Sequence, residues 1–339
     1  MIINNKNYIR KSKIYHILII ILIFSYNNII VNEKENNLKN LMKEEENRNF
    51  ESKREKYEKY NFLIIKEYCP TCGLFSYFIF FLGCIHKYLL EGYIPIIDIK
   101  SFPNVINGFN TSKSNYWEIF FEQPFGFTLE GVLQNAKNIK HKICIECKPR
   151  LSCRFMPFNE VQRNFWHYFA NKYLPIKKEL INLSKIIMYK LFKNSENILG
   201  VLTRGTDYIN LKPHNHPIPP KFSVLINDVK EMDRKNNYKY IFFSTEDDKI
   251  RDKFIKIFSN KVKYINTKMK TNYNYSKNTF LGYNANIKGN VSFFKIYIIN
   301  IIILSKCLDI ITARCNGSAG IFILTKGFRN VKVYNLGLY

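Results

Sequence analysis

The stretch LGVLTRGTDYINL, at residues 199–211, gives the clearest indication of the fold. Its apolar first half is typical of a buried strand, and the strand stops at an Arg-Gly-Thr-Asp turn. In an open α/β sheet, ligands bind at the carboxyl ends of the strands, so this turn puts Arg204 and Asp207 where chemistry is expected. Two interpretations stay open from these residues alone: a catalytic pair, or a surface turn with a weak local Arg–Asp contact.

Two later strands also end in polar turns. KYIFFS (239–244) and LDIIT (308–312) are each followed by residues able to bind a phosphate or cap a helix. The predicted ligand-binding residues in these turns are Thr245, Glu246, Asp247, Asn316, Gly317 and Ser318. Backbone N–H groups at a helix start bind phosphate, and Arg204 can add a bidentate contact. Because parallel strands end at one edge, the sequence predicts a diphosphate-binding crevice.

Residues 61–99 predict a strand–helix–strand unit. A strand at residues 61–68 leads through Pro70 and Gly73 into an apolar helix, and YIPIIDI (93–99) is the next strand. Gly73 opens the helix, where an anion is favoured, although such a glycine also permits close packing. The aromatic stretch 114–130 predicts core or a lid. Residues 141–158 are irregular, and 159–193 predict a helical bridge.

The predicted organisation has four parts: residues 1–31, 32–60, 61–193 and 194–339. Residues 1–31 join a basic start to an apolar run of nearly membrane-spanning length, which favours a marginal signal anchor; an apolar helix lying on the membrane is the alternative. Residues 32–60 are a charged stem. The protein is therefore expected to be membrane-associated, single-pass or peripheral, with the side of the membrane left open. The last two parts are an N-terminal and a C-terminal lobe.

The charge and the cysteines exclude little. The net charge of +25 fits an anionic ligand, but lysine is spread along an Asn- and Ile-rich chain without a basic block, so nucleic-acid binding is not expected. Eight cysteines include the pairs Cys69/Cys72 and Cys144/Cys147. A zinc site, disulfides and ordinary thiols are all compatible with this spacing, and ordinary thiols are preferred.

The sequence resembles the α-1,6-fucosyltransferase and O-fucosyltransferase superfamily, which includes bacterial nodulation-type enzymes. GVLTRGTDY (200–208) resembles its Arg-containing motif, and IFFSTEDDK (241–249) and LSKCLDIITARCNGSAGIFI (304–323) resemble its second and third motifs. The turn at 72–75 and the stretch 117–124 are similar to its N-terminal lobe. The sequence resembles a bacterial subgroup of this superfamily still more, because that subgroup has similar FFEQP, RGTDY and HPIPP stretches. The resemblance covers about residues 62–338.

The resemblance implies an α/β protein of GT-B type, with two Rossmann-like lobes after the apolar segment and the stem. It implies a GDP-sugar donor, usually GDP-fucose, and neither a metal nor another cofactor. Arg204 would then contact the β-phosphate of the donor, and Asp207 would hold the turn. Ser318 and neighbouring N–H groups would bind the pyrophosphate.

Three positions depart from the first motif. The family His falls at Leu202, the second Arg at Gly205 and the Lys at Tyr208. We expect Lys212 or His216 to supply the lost donor contacts. The general base of an inverting transfer stays open among four acids, which are Asp98, Asp207, Glu246 and Asp247.

The sequence thus predicts an inverting, metal-independent glycosyltransferase that transfers fucose or a related sugar from a GDP-sugar to a glycan or glycolipid hydroxyl. Two alternatives remain. The first is an inactive relative that binds nucleotide or glycan, which the changed first motif favours. The second is a zinc- or thiol-dependent protein that uses its C-x-x-C pairs.

Overall fold

The protein is a mixed α/β structure with two parallel sheets, as the sequence predicts. A computed structural model describes residues 53–66, 69–143, 158–265 and 287–339. The apolar start and most of the stem lie outside these residues, and so do Cys144, Cys147 and Cys153. Within the described ranges, no helix is both long and apolar enough to cross a bilayer.

The first sheet has three strands in the order β2-β1-β3, all parallel. Its apolar β1 is buried along its middle, while β3 is a largely exposed edge strand. The elements of this half are α1 (Lys53–Glu58), β1 (Asn61–Lys66), α2 (Leu74–Leu90), β2 (Ile94–Ile97), α3 (Trp117–Phe120), α4 (Leu129–Asn135), β3 (Asn138–Ile143), α5 (Glu160–Tyr173) and α6 (Lys178–Phe192).

The second sheet has five parallel strands in the order β6-β5-β4-β7-β8. Its elements are β4 (Ile198–Leu202), α7 (Thr206–Leu211), α8 (Phe222–Asn236), β5 (Tyr240–Ser244), α9 (Asp248–Phe258), β6 (Val262–Lys263), α10 (Val291–Leu304), β7 (Asp309–Ala313), α11 (Asn316–Leu324) and β8 (Val331–Tyr334). Strand β4 is central and buried throughout. The strand order reverses between β4 and β7, which makes their carboxyl ends the topological switch point where ligands bind.

The aromatic stretch 114–130 belongs to the core and extends the edge of β2. The side-chain amide of Gln123 accepts a hydrogen bond from Ile97 N (2.9 Å) and donates one to Ile97 O (2.8 Å). Oε1 of Glu118 accepts hydrogen bonds from Gln123 Nε2 (3.0 Å), Asn115 Nδ2 (3.2 Å) and Leu129 N (2.8 Å). A fully buried Trp117 lies beside them. This stretch therefore satisfies buried backbone groups next to β2.

The two halves are joined by helices α2 and α11, which pack closely. Phe75 on α2 lies against Gly320 on α11, where a Cβ atom would come within 2.3 Å of the ring. Asn316 Nδ2 donates a hydrogen bond to Ser76 Oγ (2.9 Å). On α5, His167 Nδ1 lies 3.0 Å from Ile323 O. One apolar core runs through both halves.

Several elements differ from the prediction. The predicted bridge at 159–193 is two helices, separated by residues 174–177. Strand β3 was not predicted, because its residues are polar and exposed. The preference for ordinary thiols is wrong for Cys69 and Cys72, which form a disulfide. Cys84, Cys307 and Cys315 are buried thiols outside this disulfide.

Candidate active site

A crevice of about 380 Å³ lies at the switch point of the second sheet and reaches the start of α2. Its walls come from the turns after β4, β5 and β7 and from the residues before α2. The predicted site residues that line it are Gly73, Arg204, His216, Thr245, Glu246, Asn316 and Gly317. Residues far apart in the chain are therefore brought together at one edge of the sheet.

Arg204 enters the crevice directly after β4. Its Nε atom lies 3.2 Å from Oε1 of Glu246, and its guanidinium carbon lies 4.4 Å from the centre of the Tyr208 ring. The same Glu246 oxygen accepts a hydrogen bond from Gly205 N (2.8 Å). A Cβ atom on Gly205 would come within 2.6 Å of the Asp247 carboxylate. Glycine is thus required at this position for the turn to pack.

The start of α11 forms a second wall. Cys315 precedes the helix, and its sulfur accepts the hydrogen bond from Ser318 N (3.4 Å). Gly317 lies so close to the Tyr297 hydroxyl that a Cβ atom would approach it to 2.5 Å. Burial raises the pKa of Tyr297 above its ordinary value, so its hydroxyl stays neutral. The first N–H groups of a helix have no intrahelical acceptor and attract anions.

The start of α2 forms a third part of the wall, next to the start of α11. Gly73 precedes this seventeen-residue helix, whose first turn carries no acid. A Cβ atom on Gly73 would meet nothing within 4 Å, so close packing is not the reason for this glycine. The disulfide between Cys69 and Cys72 also lines the crevice. Two helix N-termini and the Arg204 guanidinium therefore meet around one cavity, a combination that favours an anion.

Four predicted site residues do not contribute a described side chain to the lining. Lys212 is exposed and has a left-handed backbone conformation at the C-terminus of α7. Asp247 is buried and caps α9 by accepting from Lys249 N (2.9 Å) and Ile250 N (3.1 Å). Ser318 is buried, and its hydroxyl donates to Ala313 O (2.7 Å). The side chain of Asp207 lies outside the described part of the structure.

Of the other general-base candidates, Glu246 lines the crevice and Asp98 does not. Asp98 closes the turn after β2, where Oδ1 accepts from Lys100 N (2.9 Å) and Ser101 N (3.1 Å). Its second oxygen lies 3.3 Å from Lys66 Nζ. These contacts make Asp98 part of the turn.

Three further lining residues were not among the predicted site residues: Tyr208, Arg251 and Tyr297. Arg251 Nη1 lies 2.5 Å from Asp248 Oδ1, and Nη2 lies 2.9 Å from Asp252 Oδ1. Burial opposes the charge of Arg251, but these two carboxylates raise its pKa. Arg251 lies on α9, 47 residues after Arg204, so no local sequence pattern connects the two residues.

Within the described ranges, no group of three or more His, Cys, Asp or Glu side chains is arranged to hold a metal ion. Cys69 and Cys72 are joined in their disulfide, so these sulfurs are not zinc ligands in this state.

No protein-family model and no curated protein matches the chain. Its fold is similar to solved structures of the fucosyltransferase NodZ from Bradyrhizobium, at 13% identity and a TM-score of 0.48 over 79% of this chain and 94% of NodZ. It is also similar to POFUT1 in complex with GDP, at 10% identity and a TM-score of 0.47 over 82% and 99% of the two chains. Its similarity to Arabidopsis thaliana FUT1 in complex with GDP is 7% identity with a TM-score of 0.41, over 82% of this chain and 72% of FUT1.

NodZ is an α-1,6-fucosyltransferase, the activity named in the superfamily that the sequence motifs resemble. At these identities the similarity is one of fold alone. The function of this chain therefore has to be inferred from its own residues.

Proposed function

We propose that the protein is a glycosyltransferase that uses a GDP-sugar, with fucose as the expected sugar and a glycan or glycolipid hydroxyl as the acceptor. The observation that carries the proposal is the meeting of Arg204 with the N-termini of α2 and α11 at the switch point of a parallel sheet. Such a site offers a fixed cation and backbone N–H groups to a diphosphate. The choice of GDP as the nucleotide and of fucose as the sugar rests on the motif resemblance.

In the proposed reaction, the acceptor hydroxyl oxygen attacks the anomeric carbon and gives its proton to a general base, while the bond from that carbon to the β-phosphate oxygen breaks. Of the candidate acids, Glu246 lines the crevice and is proposed to take this proton. Negative charge then develops on the departing GDP. Arg204 meets this charge, and because Glu246 and the Tyr208 ring already hold it, little reorganisation is needed when the bond breaks. The N–H groups of Asn316 and Gly317 are proposed to bind the pyrophosphate. Metal independence and attachment to a membrane through residues 1–31 are part of the same proposal.

A thermal-shift screen of the full chain with GDP, UDP, ADP and GDP-fucose tests the ligand class. Saturating ligand stabilises the fold, by about 2.7 kcal/mol at 100 times the dissociation constant. We expect GDP and GDP-fucose to raise the melting temperature more than UDP or ADP at equal concentration. A screen in which no nucleotide shifts the transition would contradict the proposal.

An inactive nucleotide-binding protein is the second candidate, and the loss of the motif His and second Arg at Leu202 and Gly205 favours it. Slow release of GDP from GDP-fucose separates the two candidates. The enzyme releases GDP, whereas the binding protein shows the thermal shift alone.

A further inference from the structure

The ring of Tyr208 connects Arg204 to the loop that follows α7. The Arg204 guanidinium lies over the ring face at 4.4 Å, within the range of a favourable cation–π contact. The ring of His216 meets Tyr208 edge to face, with 5.4 Å between the ring centres and 88° between the planes. All three side chains line the crevice.

The loop that carries His216 is itself fixed by residues 337–339. Tyr339 N donates to His216 O (3.0 Å), and Asn215 N donates to Tyr339 O (3.1 Å). Ile218 N donates to Gly337 O (3.1 Å), and Pro217 and Leu338 form an antiparallel bridge. Three backbone hydrogen bonds thus surround His216 and hold the loop in place.

Two different contacts therefore restrain Arg204. Glu246 holds the Nε edge, and the Tyr208 ring covers one face of the guanidinium plane. An arginine side chain has large rotamer freedom, so a single contact at Nε leaves the orientation of the plane poorly determined. Fixing the plane raises the fraction of molecules in which the guanidinium is ready to meet a phosphate.

We propose that Tyr208 and His216, held by residues 337–339, are positioning residues that orient Arg204 for the donor diphosphate. The inference rests on the proposed function. It does not require either ring to touch the reacting atoms.

The test measures GDP binding by calorimetry for Tyr208→Leu, Tyr208→Phe and the control Tyr189→Leu. Tyr189 is an exposed tyrosine on α6, outside the crevice. We expect Tyr208→Leu to weaken GDP binding about tenfold, and Tyr208→Phe, which keeps the ring, to stay within about twofold of wild type. The control is expected to bind like wild type.

A double-mutant cycle separates positioning from general damage. In the Arg204→Ala background, Tyr208→Leu should weaken GDP binding no further, because the residue that it orients is gone. An equal loss in both backgrounds, or wild-type affinity for Tyr208→Leu, overturns the positioning role. If wild type itself does not bind GDP, the proposed function fails instead, so the two failures are distinguishable.

Two substitutions at Tyr339 test the contribution of residues 337–339. Tyr339→Pro removes the N–H that donates to His216 O, whereas Tyr339→Ala keeps it. We expect the proline variant to weaken GDP binding several-fold and the alanine variant to bind like wild type. Equal affinities for the two variants would exclude this backbone pairing from the positioning of Arg204.

Discussion

Oε1 of Glu246 lies 3.2 Å from Arg204 Nε and accepts the hydrogen bond of Gly205 N at 2.8 Å. One carboxylate oxygen thus fixes both the cation and the backbone of the turn after β4. The Glu246 side chain is 11% exposed, so water does not readily replace it.

Glu246→Ala is expected to lower the free energy of unfolding by about 2 kcal/mol, because the ion pair with Arg204 is lost and Gly205 N–H is left without its acceptor. Glu246→Gln keeps an oxygen that can accept from Gly205 and should cost about half as much. Urea unfolding at pH 7 measures both variants. Two variants as stable as wild type would show that the contact contributes nothing.

The contact between α2 and α11 predicts a steric effect. In Gly320→Ala the new Cβ atom would come within 2.3 Å of the Phe75 ring, so the helices must separate. We expect a loss of about 1–3 kcal/mol of stability, typical of overpacking. Phe75→Leu in the same chain should recover part of the loss. If the two effects simply add in urea unfolding, the ring is not the obstacle.

Asp309 predicts a dependence of stability on acid. Burial opposes its ionisation, but hydrogen bonds from Arg329, Tyr238 and Asn330 lower its pKa below the ordinary value. Its stabilising effect is therefore present above the unfolded pKa of about 3.9, and is lost as the pH falls through the lowered folded value. The stability difference between wild type and Asp309→Asn should shrink as the pH falls from 5 toward 2.5. The free energies of unfolding of both proteins are measured by urea denaturation at each pH. A difference between them that stays constant from pH 5 to 2.5 would contradict this prediction.

His216 and Lys212, the two residues expected to replace the lost motif contacts, differ in their position relative to the crevice. His216 lines the crevice, whereas Lys212 is exposed outside it. We expect His216→Ala to weaken GDP binding about tenfold and Lys212→Ala to change it less than about twofold at 0.15 M salt, since distant exposed charges are screened. Calorimetry compares the two. The reverse order of effects would move the donor site toward the end of α7.

The second lobe could be largely predicted because its strands are short buried runs that end in polar turns. The predicted strand at the start of 199–211 and the predicted strands at 239–244 and 308–312 agree with β4, β5 and β7 to within a few residues. Strand β3 was missed because NIKHKI is polar and pairs only at an edge. Its place in the sheet comes from β1, through tertiary contacts that no local pattern records.

The candidate site was predictable where the backbone determines it. The rule for parallel strands brings Arg204, Glu246 and Asn316 to one edge, and the structure puts all three in the crevice. Side-chain direction is a different matter. Ser318 and Asp247 follow the right strands, yet their polar atoms serve the turn and the cap of α9. The stack of Tyr208 on Arg204 depends on the short helix α7, which the sequence did not predict.

The proposed role of Arg204 is tested by the release of GDP from GDP-fucose by the full chain, measured for wild type, Arg204→Ala and the control Arg234→Ala. Arg234 is an exposed arginine in the last turn of α8. We predict that wild type and Arg234→Ala release GDP at the same rate and that Arg204→Ala is slower by about 10²–10³-fold, the usual cost of removing a group that stabilises developing charge. Equal rates for Arg204→Ala and wild type, with all three proteins folded, would show that Arg204 does not stabilise the departing GDP.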